Sequence, residues 1–333
     1  MATTAAEVEV DPDSVTTSLN TFQSIVLGIV QGLTEFLPIS STAHIKAVPV
    51  ALGWGDPGVA FTAIIQLGSI AAILWYFWSD LRQVVTGMFR AIRQVVMRTV
   101  QAVRESNYQS QGDFWSKLRQ VVTGMVQAVR ESNYQSQDFR IGLGIILGTI
   151  PIVILGLMMK VFIPDLDNSP LRSMAAIAIA SIAMSLLLAL AEQVGRRQRT
   201  LEKLDTRDGV WMGFAQALAL IPGVSRSGST LTAGLFMGLE RATAARFSFL
   251  LGIPAITIAG LVELKGLLET GFGNIGVVPL VAGLIASAAS SYGAIAWLLR
   301  YLQNHNTWVF VWYRLGFGLV ILGAIALGLV ENS

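Results

Sequence analysis

Two polar stretches in an otherwise apolar chain carry residues that could act on a phosphate ester. The first stretch, at 31–44, reads QGLTEFLPISSTAH and combines a carboxylate, hydroxyl groups and an imidazole. A hydroxyl group needs a base in order to attack phosphorus, and a histidine or a glutamate can be that base. A glutamate could instead hold a divalent cation that neutralises phosphate charge. The candidate catalytic residues of this stretch are Glu35, Ser41 and His44, with Ser40 and Thr42 as candidate substrate-binding residues.

The second polar stretch, PGVSRSGST at 222–230, places one guanidinium among hydroxyl groups and small residues. The planar fork of an arginine matches phosphate oxygens, and the N–H groups at a helix start favour anions. The alternative is that Arg226 hydrogen-bonds carbonyl groups at a helix break, but charge inside a membrane usually marks function. The candidates here are Arg226, Ser225, Ser227 and Thr230, together with Gln66 and Gln216, which could line a cavity or pack between helices.

The composition favours a helical membrane protein with several spans. Of 333 residues, 53% are hydrophobic and only 13% are charged, against about 25% charged in soluble domains. This excludes a disordered chain and an ordinary soluble enzyme, and a net charge of +2 gives no reason to expect a nucleic-acid partner. The chain has no cysteine, so it has neither disulfides nor thiolate metal sites. Residues 1–20 are acidic rather than basic, and we expect a polar tail.

Apolar segments of about 20 residues are needed to cross a bilayer. The candidates are 59–78, 141–163, 173–191, 247–263, 277–299 and 308–330, of which 247–263 is slightly short. Two further apolar stretches, 22–37 and 210–221, are too short to span and end at Pro38 and Pro222. Broken backbone at membrane depth survives where it lines a cavity or is buried in protein, so both stretches predict re-entrant helix-loop-helix hairpins.

The two hairpins resemble each other, which indicates an internal repeat of about 185 residues. The basic segment 196–207 is expected to be cytoplasmic, and the hairpins then enter the membrane from opposite sides. The sequence therefore predicts an all-α membrane domain, 21–333, whose half-repeats at about 21–191 and 208–330 have inverted topology. In such folds the broken helices meet near the midplane. Arg314 lies near the cytoplasmic end of the last span, and we expect its side chain to snorkel.

A basic segment at 79–140 contains a duplication. LRQVVTGM occurs at 81–88 and again at 118–125, and VQAVRESNYQSQ occurs at 100–111 and again at 126–137. Apolar residues recur at helical spacing with arginines between them, which is typical of an amphipathic helix on an anionic membrane surface. The alternative is a duplicated spacer without chemistry.

Four motifs together resemble the BacA-type undecaprenyl-diphosphatase family: those at 31–44 and 222–230, FTAIIQLGSIAAIL at 61–74, and FSFLLGIP at 247–254. The resemblance implies a phosphatase of the bacterial plasma membrane that removes the terminal phosphate of undecaprenyl diphosphate for cell-wall synthesis. It further implies dependence on a divalent cation, Mg²⁺ or Ca²⁺, and an active site open to the outer face. A lipid-phosphate transporter with the same architecture is the alternative, and a homodimer is a further expectation.

The family resemblance also implies roles for individual residues. Glu35 matches the glutamate of the first motif and the metal ligand, Ser41 the proposed nucleophile, His44 the histidine and Arg226 the phosphate-binding arginine. Gln31 stands where the family usually has glutamate, so the metal site would rest mainly on Glu35. The resemblance does not decide between a covalent phosphoserine and direct attack by water.

Overall fold

The computed structural model describes residues 19–55, 57–109, 119, 123, 136–162, 169–271, 276–330 and 332. Within these ranges the regular structure is helical, apart from an isolated β-bridge between Arg199 and Leu239. The α-helices are α1 Thr21–Phe36, α2 Ser41–Ala51, α3 Gly58–Tyr76, α4 Trp78–Gln109, α5 Gln137–Phe162, α6 Met174–Val194, α7 Thr206–Ala217, α8 Arg226–Phe236, α9 Arg241–Thr270, α10 Val277–Asn304 and α11 Trp308–Ala326. Most of the predicted tail, at 1–18, and most of the second copy of the duplication lie outside the described residues.

Five of these helices are long and apolar enough to cross a membrane: α5, α6, α9, α10 and α11. The pair Phe61–Tyr76 and Trp78–Arg98 passes the same test only when its two helices, bent by 66°, are counted together as a sixth span. The prediction of a multi-span helical membrane protein is therefore confirmed. The segment 247–263, expected to be short, is part of the 30-residue helix α9.

The helices at the two polar stretches are short, as the positions of the prolines predict. Helix α1 has 16 residues and α2 has 11, while α7 has 12 and α8 has 11. Asn20 caps α1 and Asp205 caps α7, each through a capping box that satisfies free N–H groups at the helix start. The chain between the short helices turns at Pro38 and at Pro222, where it leaves helical geometry.

Each short first helix packs closely on a long helix far away in the sequence. Gly28 of α1 lies against the backbone of Gly283 in α10, and Gly213 of α7 lies against the backbone of Gly148 in α5. A Cβ atom at either Gly28 or Gly213 would overlap the facing carbonyl group, so glycine permits the close approach. These contacts fix the positions of α1 and α7, and of the polar turns that follow them, relative to α10 and α5.

Candidate active site

The turn after α1 and the turn before α8 meet inside the protein. Ser227 of α8 donates a hydrogen bond from Oγ to the carbonyl oxygen of Leu37, at 3.0 Å. Helix α8 in turn packs on α7, α6 and α9. The two stretches that the sequence singled out, 31–44 and 222–230, are thereby brought side by side.

Glu35 is the centre of the contacts on the first side. Its Oε2 accepts a hydrogen bond from Ser41 Oγ at 2.7 Å and one from Gln31 Nε2 at 3.2 Å. Gln31 also donates to the side-chain oxygen of Gln66 on α3. The Ser41 hydroxyl therefore points its proton at a carboxylate, which is the arrangement of a hydroxyl with its general base.

Arg226 faces Glu35 from the second side. The distance from Arg226 Nη2 to Glu35 Oε1 is 3.7 Å, and the two side chains are only 10% and 9% exposed. Arg226 Nη1 lies 3.5 Å from the carbonyl oxygen of Ser248, whereas Nε and Nη2 find no hydrogen-bond acceptor among the described residues. Buried donors of this kind normally have a partner, and a phosphate oxygen would satisfy them.

The hydroxyl groups around Arg226 hold the start of α8 in place. Ser225 caps the helix, since its Oγ accepts from the backbone N–H of Gly228 at 3.2 Å. Thr230 Oγ1 donates to the carbonyl oxygen of Arg226 at 2.8 Å and shares a hydrogen bond with Ser248 Oγ at 2.5 Å. Ser248 belongs to the FSFLLGIP motif but was not among the predicted site residues.

His44 is placed differently from what a base for Ser41 would require. Its Nδ1 donates to the carbonyl oxygen of Ser40 at 2.7 Å, and its Nε2 is 2.7 Å from the hydroxyl of Tyr313 on α11. The ring also stacks on Phe317, with centroids 4.4 Å apart. The hydrogen bond of Ser41 goes to Glu35 instead, so His44 supports the loop from behind. Tyr313 was missed because its sequence position gives no sign of this contact.

Arg314 corrects one expectation from the sequence. Its side chain does not snorkel, because the residue is 1% exposed and its guanidinium lies between the two turns. It donates to the carbonyl oxygen of Pro38 at 2.9 Å, and to those of Gly223 and Val224 at 2.9 and 3.0 Å. Carbonyl groups freed by two broken helices outcompete the headgroup region for this buried cation. The one sequence feature that could have indicated this buried position is that Arg314 is the single charged residue of the last span.

Two of the predicted substrate-binding residues stand apart from this set. Gln216 is fully buried, and neither of its amide atoms finds a hydrogen-bond partner among the described residues. Thr42 is exposed on α2. The remaining candidates lie in or directly beside the contacts around Glu35 and Arg226.

The part of the chain that the structure describes contains no group of three or more His, Cys, Asp or Glu side chains that could hold a metal. Around Glu35 the oxygen atoms that could bind a metal belong to its own carboxylate, the Ser41 hydroxyl and the Gln66 amide. Mg²⁺ and Ca²⁺ prefer oxygen ligands, and Mg²⁺ is often held by one or two carboxylates plus substrate phosphates. These residues fit a cation that is completed by the substrate, not one enclosed by protein.

Comparison with known proteins identifies the family of this chain. A family model described as "Bacitracin resistance protein BacA" matches residues 24–107 and 112–320, which includes most of the segment 79–140. A protein named undecaprenyl-diphosphatase from Nostoc sp. is 58% identical over 315 residues, covering 95% of this chain and 87% of the relative. Proteins of the same name from Synechocystis sp. and Synechococcus elongatus are 60% and 59% identical, covering 93% and 94% of this chain and 84% and 96% of their own. The chain belongs to the BacA family.

Proposed function

We propose that this chain is a membrane-embedded hydrolase that removes the terminal phosphate of undecaprenyl diphosphate and so regenerates the lipid carrier for peptidoglycan synthesis. The relatives at 58–60% identity carry the name of that activity. The observation that carries the proposal is the meeting of Ser41, Glu35 and Arg226, which come from two different broken-helix hairpins. The names of the relatives favour hydrolysis over the alternative of lipid-phosphate transport.

Arg226 binds the diphosphate in this proposal. Its Nε and Nη2 atoms, which make no hydrogen bond to the described residues, can donate to phosphate oxygens in the bidentate manner that guanidinium groups favour. The buried setting strengthens this interaction because little water competes. Ser225, Ser227 and Thr230 hold the backbone around the arginine at the start of α8.

Ser41 is the nucleophile in this proposal and Glu35 is its base. As the Ser41 oxygen bonds to the terminal phosphorus, its proton passes to Glu35 across the 2.7 Å hydrogen bond. The bond from phosphorus to the bridging oxygen breaks, and undecaprenyl phosphate leaves. Glu35 then passes this proton to the solvent. A water molecule attacks the phosphorus of the phosphoserine, Glu35 accepts a proton from that water, and the Ser41 oxygen leaves with this proton as inorganic phosphate is released. Direct attack by water is the competing route, and the Ser41→Ala variant decides between them.

A divalent cation, Mg²⁺ or Ca²⁺, is proposed at Glu35. It would neutralise the charge of the transferring phosphoryl group, which is where phosphoryl transfer needs most help. Glu35 and the neighbouring oxygens of Ser41 and Gln66 provide the protein ligands. Gln31, which donates to both Glu35 and Gln66, orients them through its amide nitrogen.

The proposed membrane arrangement is that of an inverted repeat with two re-entrant hairpins in the plasma membrane, the site opening to the outer face. Support comes from matched positions 185 residues apart: α1 and α7 begin at Thr21 and Thr206, and α2 and α8 begin at Ser41 and Arg226. The basic segment 196–207 favours a cytoplasmic location for the start of α7. A homodimer stays a prediction.

Phosphate release from a C15 or C55 prenyl diphosphate tests the proposed activity. Purified protein in detergent is assayed with Mg²⁺ or Ca²⁺ and then with EDTA, beside the Glu35→Gln variant, which keeps the shape of the side chain but is a far weaker base and ligand. We expect release that depends on the cation and is lost in the variant. A folded wild-type protein that releases no phosphate would overturn the proposal and favour transport.

A further inference from the structure

Helix α4 has an inner apolar face that packs on the start of α5. Val84 and Ala91 are buried on this face. Met88 lies against Gly142 of α5, and Gly87 lies against Asp138 one turn earlier in α5. The first turns of α4 are therefore level with the first turns of a membrane span.

A second apolar face runs along α4 beside the first, and the described part of the chain leaves it exposed. At 100° per residue, Val85, Phe89, Ile92 and Val96 fall within an arc of about 60°. They are 53–68% exposed. We call these four residues the outer stripe. A helix surrounded by water rarely carries four large apolar side chains on one face, whereas a helix in the membrane interface needs such a face.

Arginines border the outer stripe on the side away from α5. Arg82, Arg90 and Arg93 follow the stripe around the helix, and Gln83 and Gln94 lie beyond them; all five residues are exposed. This order, apolar and then cationic and then neutral polar, matches the change from acyl chains to anionic headgroups to water. Charge complementarity therefore favours anionic lipid over a protein partner for this face.

Exposed tryptophans at the bend between α3 and α4 favour a position of this bend at the membrane surface. Trp75 and Trp78 stand on either side of the bend and are 78% and 66% exposed. Exposed tryptophans in a membrane protein mark the headgroup region. Helix α4 leaves this level at 66° to α3, and its 32 residues reach about 48 Å at 1.5 Å per residue. Its first turns stay beside the start of α5.

We propose that α4 lies in the plane of the membrane interface, with the outer stripe in the boundary between acyl chains and headgroups and with Arg82, Arg90 and Arg93 binding anionic lipid. The bilayer surface is thus a partner of a helix outside the catalytic hairpins. Docking on α5 connects this helix to the span on which α7 packs.

Depth-dependent quenching tests the position of α4. Because the chain has no cysteine, single cysteines can be introduced as Phe89→Cys and Ile92→Cys in the outer stripe and as Gln94→Cys in the polar face. Each protein is labelled with bimane and placed in vesicles of phosphatidylcholine and phosphatidylglycerol that carry doxyl lipids. We expect 5-doxyl lipid to quench the stripe labels at least twofold more than the Gln94→Cys label, and more than 12-doxyl lipid does.

Three results would overturn the proposal. Stronger quenching by 12-doxyl than by 5-doxyl lipid would mean that α4 crosses the bilayer. A disulfide between two copies of the Phe89→Cys protein without lipid quenching would mean that a second chain covers the stripe. Absence of both would mean that the outer stripe lies neither in the lipid interface nor against a second chain. Phosphate release in detergent checks that every labelled protein is folded.

A second comparison tests the arginines. In the Phe89→Cys protein, we expect phosphatidylglycerol to increase the quenching of the label. The Arg90→Gln and Arg93→Gln changes together should make this increase at least twofold smaller. Arg207→Gln, which removes an exposed charge outside α4, is the matched control and should change nothing. An unchanged response in the double variant would contradict the role of the arginines. Activity in detergent should be the same in all three proteins.

Discussion

The hairpin α1–α2 and the hairpin α7–α8 share a backbone plan. Ser40 and Ser225, 185 residues apart, precede the second helix of each hairpin with the left-handed φ values of 75° and 71°. Pro38 and Gly223, also 185 residues apart, both offer a carbonyl oxygen to Arg314. A single guanidinium thus joins equivalent points of two similar turns.

The side chains at matched positions of the two hairpins differ in their chemistry. Glu35 in the first hairpin corresponds to Leu220 in the second, and Ser41 corresponds to Arg226. A near-symmetric frame brings equivalent ends together, so unlike residues at those ends become neighbours: an acid and a hydroxyl on one side, a cation on the other. Division of labour between the halves needs only a few substitutions once the frame exists.

Removing the cation of the second hairpin should have the largest effect. Arg226→Ala deletes the buried donors that face Glu35, and loss of one such donor typically costs about 10²–10³-fold in kcat. Arg226→Lys keeps the charge but not the fork and should recover only part of the rate. Phosphate release measures both, with gel filtration as the check on folding. A near-wild-type rate in the alanine variant would contradict the assigned role.

Within the first hairpin, substitutions of Ser41 and of His44 should lower kcat by different amounts. Ser41→Ala removes the group bonded to Glu35 and should lower kcat by about 10²-fold or more. His44→Gln can keep one hydrogen bond behind the loop. The decrease in kcat should therefore be several-fold smaller than the decrease caused by Ser41→Ala. Assays at saturating substrate give the comparison. Equal losses would mean that His44 reaches the reacting atoms, and a small loss in Ser41→Ala would favour direct attack by water.

Breaking the link between the hairpins should destabilise the fold as well as the site. Arg314→Met removes the donor of four carbonyl oxygens, those of Pro38, Ser181, Gly223 and Val224, each at a cost of about 1–3 kcal/mol. The melting temperature in detergent should fall by several degrees, together with activity. Arg300→Gln, an exposed charge on α10, is the control and should leave both unchanged. A melting temperature that Arg314→Met leaves unchanged would argue against the link.

The smallest effect concerns the two left-handed serines. Ser40 makes no capping hydrogen bond, so Ser40→Gly should stabilise the protein by about 1 kcal/mol through relief of backbone strain. Ser225 does cap its helix, and Ser225→Gly loses that bond while gaining the same relief. We expect a higher melting temperature only for Ser40→Gly. Identical shifts in the two variants would show that the turns are energetically equivalent.

The sequence indicated which residues meet at the site more clearly than how they contact one another. Proline positions and polar motifs predicted two broken hairpins, and the short helices appear where expected. Glu35, Ser41 and Arg226 were all predicted as site residues, because their types suit phosphate chemistry in an apolar chain. The pairing of Ser41 with Glu35 rather than with His44 depends on side-chain directions that spacing does not encode.

Long-range contacts were the part that the sequence did not reveal. His44 and Tyr313 are 269 residues apart, and the carbonyl groups that accept from Arg314 belong to two separate turns and, at Ser181, to α6. Gly252 is another case, because the Arg226 guanidinium lies where its side chain would begin. Nothing local to Tyr313 distinguishes it from an ordinary residue of a membrane helix, and the charge of Arg314 does not reveal which carbonyl groups it binds.

The glycine contacts of α1 and α7 have a consequence for the order of assembly. Helix α1 leaves the ribosome long before α10, so its packing surface around Gly283 is made only when α10 has been synthesised. Helix α7, by contrast, finds α5 already present. The halves are interlocked, each first helix lying on a long helix of the other, so contacts of high sequence separation must close before the site exists. Catalytic competence is therefore a late event in the biogenesis of this protein, gained only after α10 has been inserted.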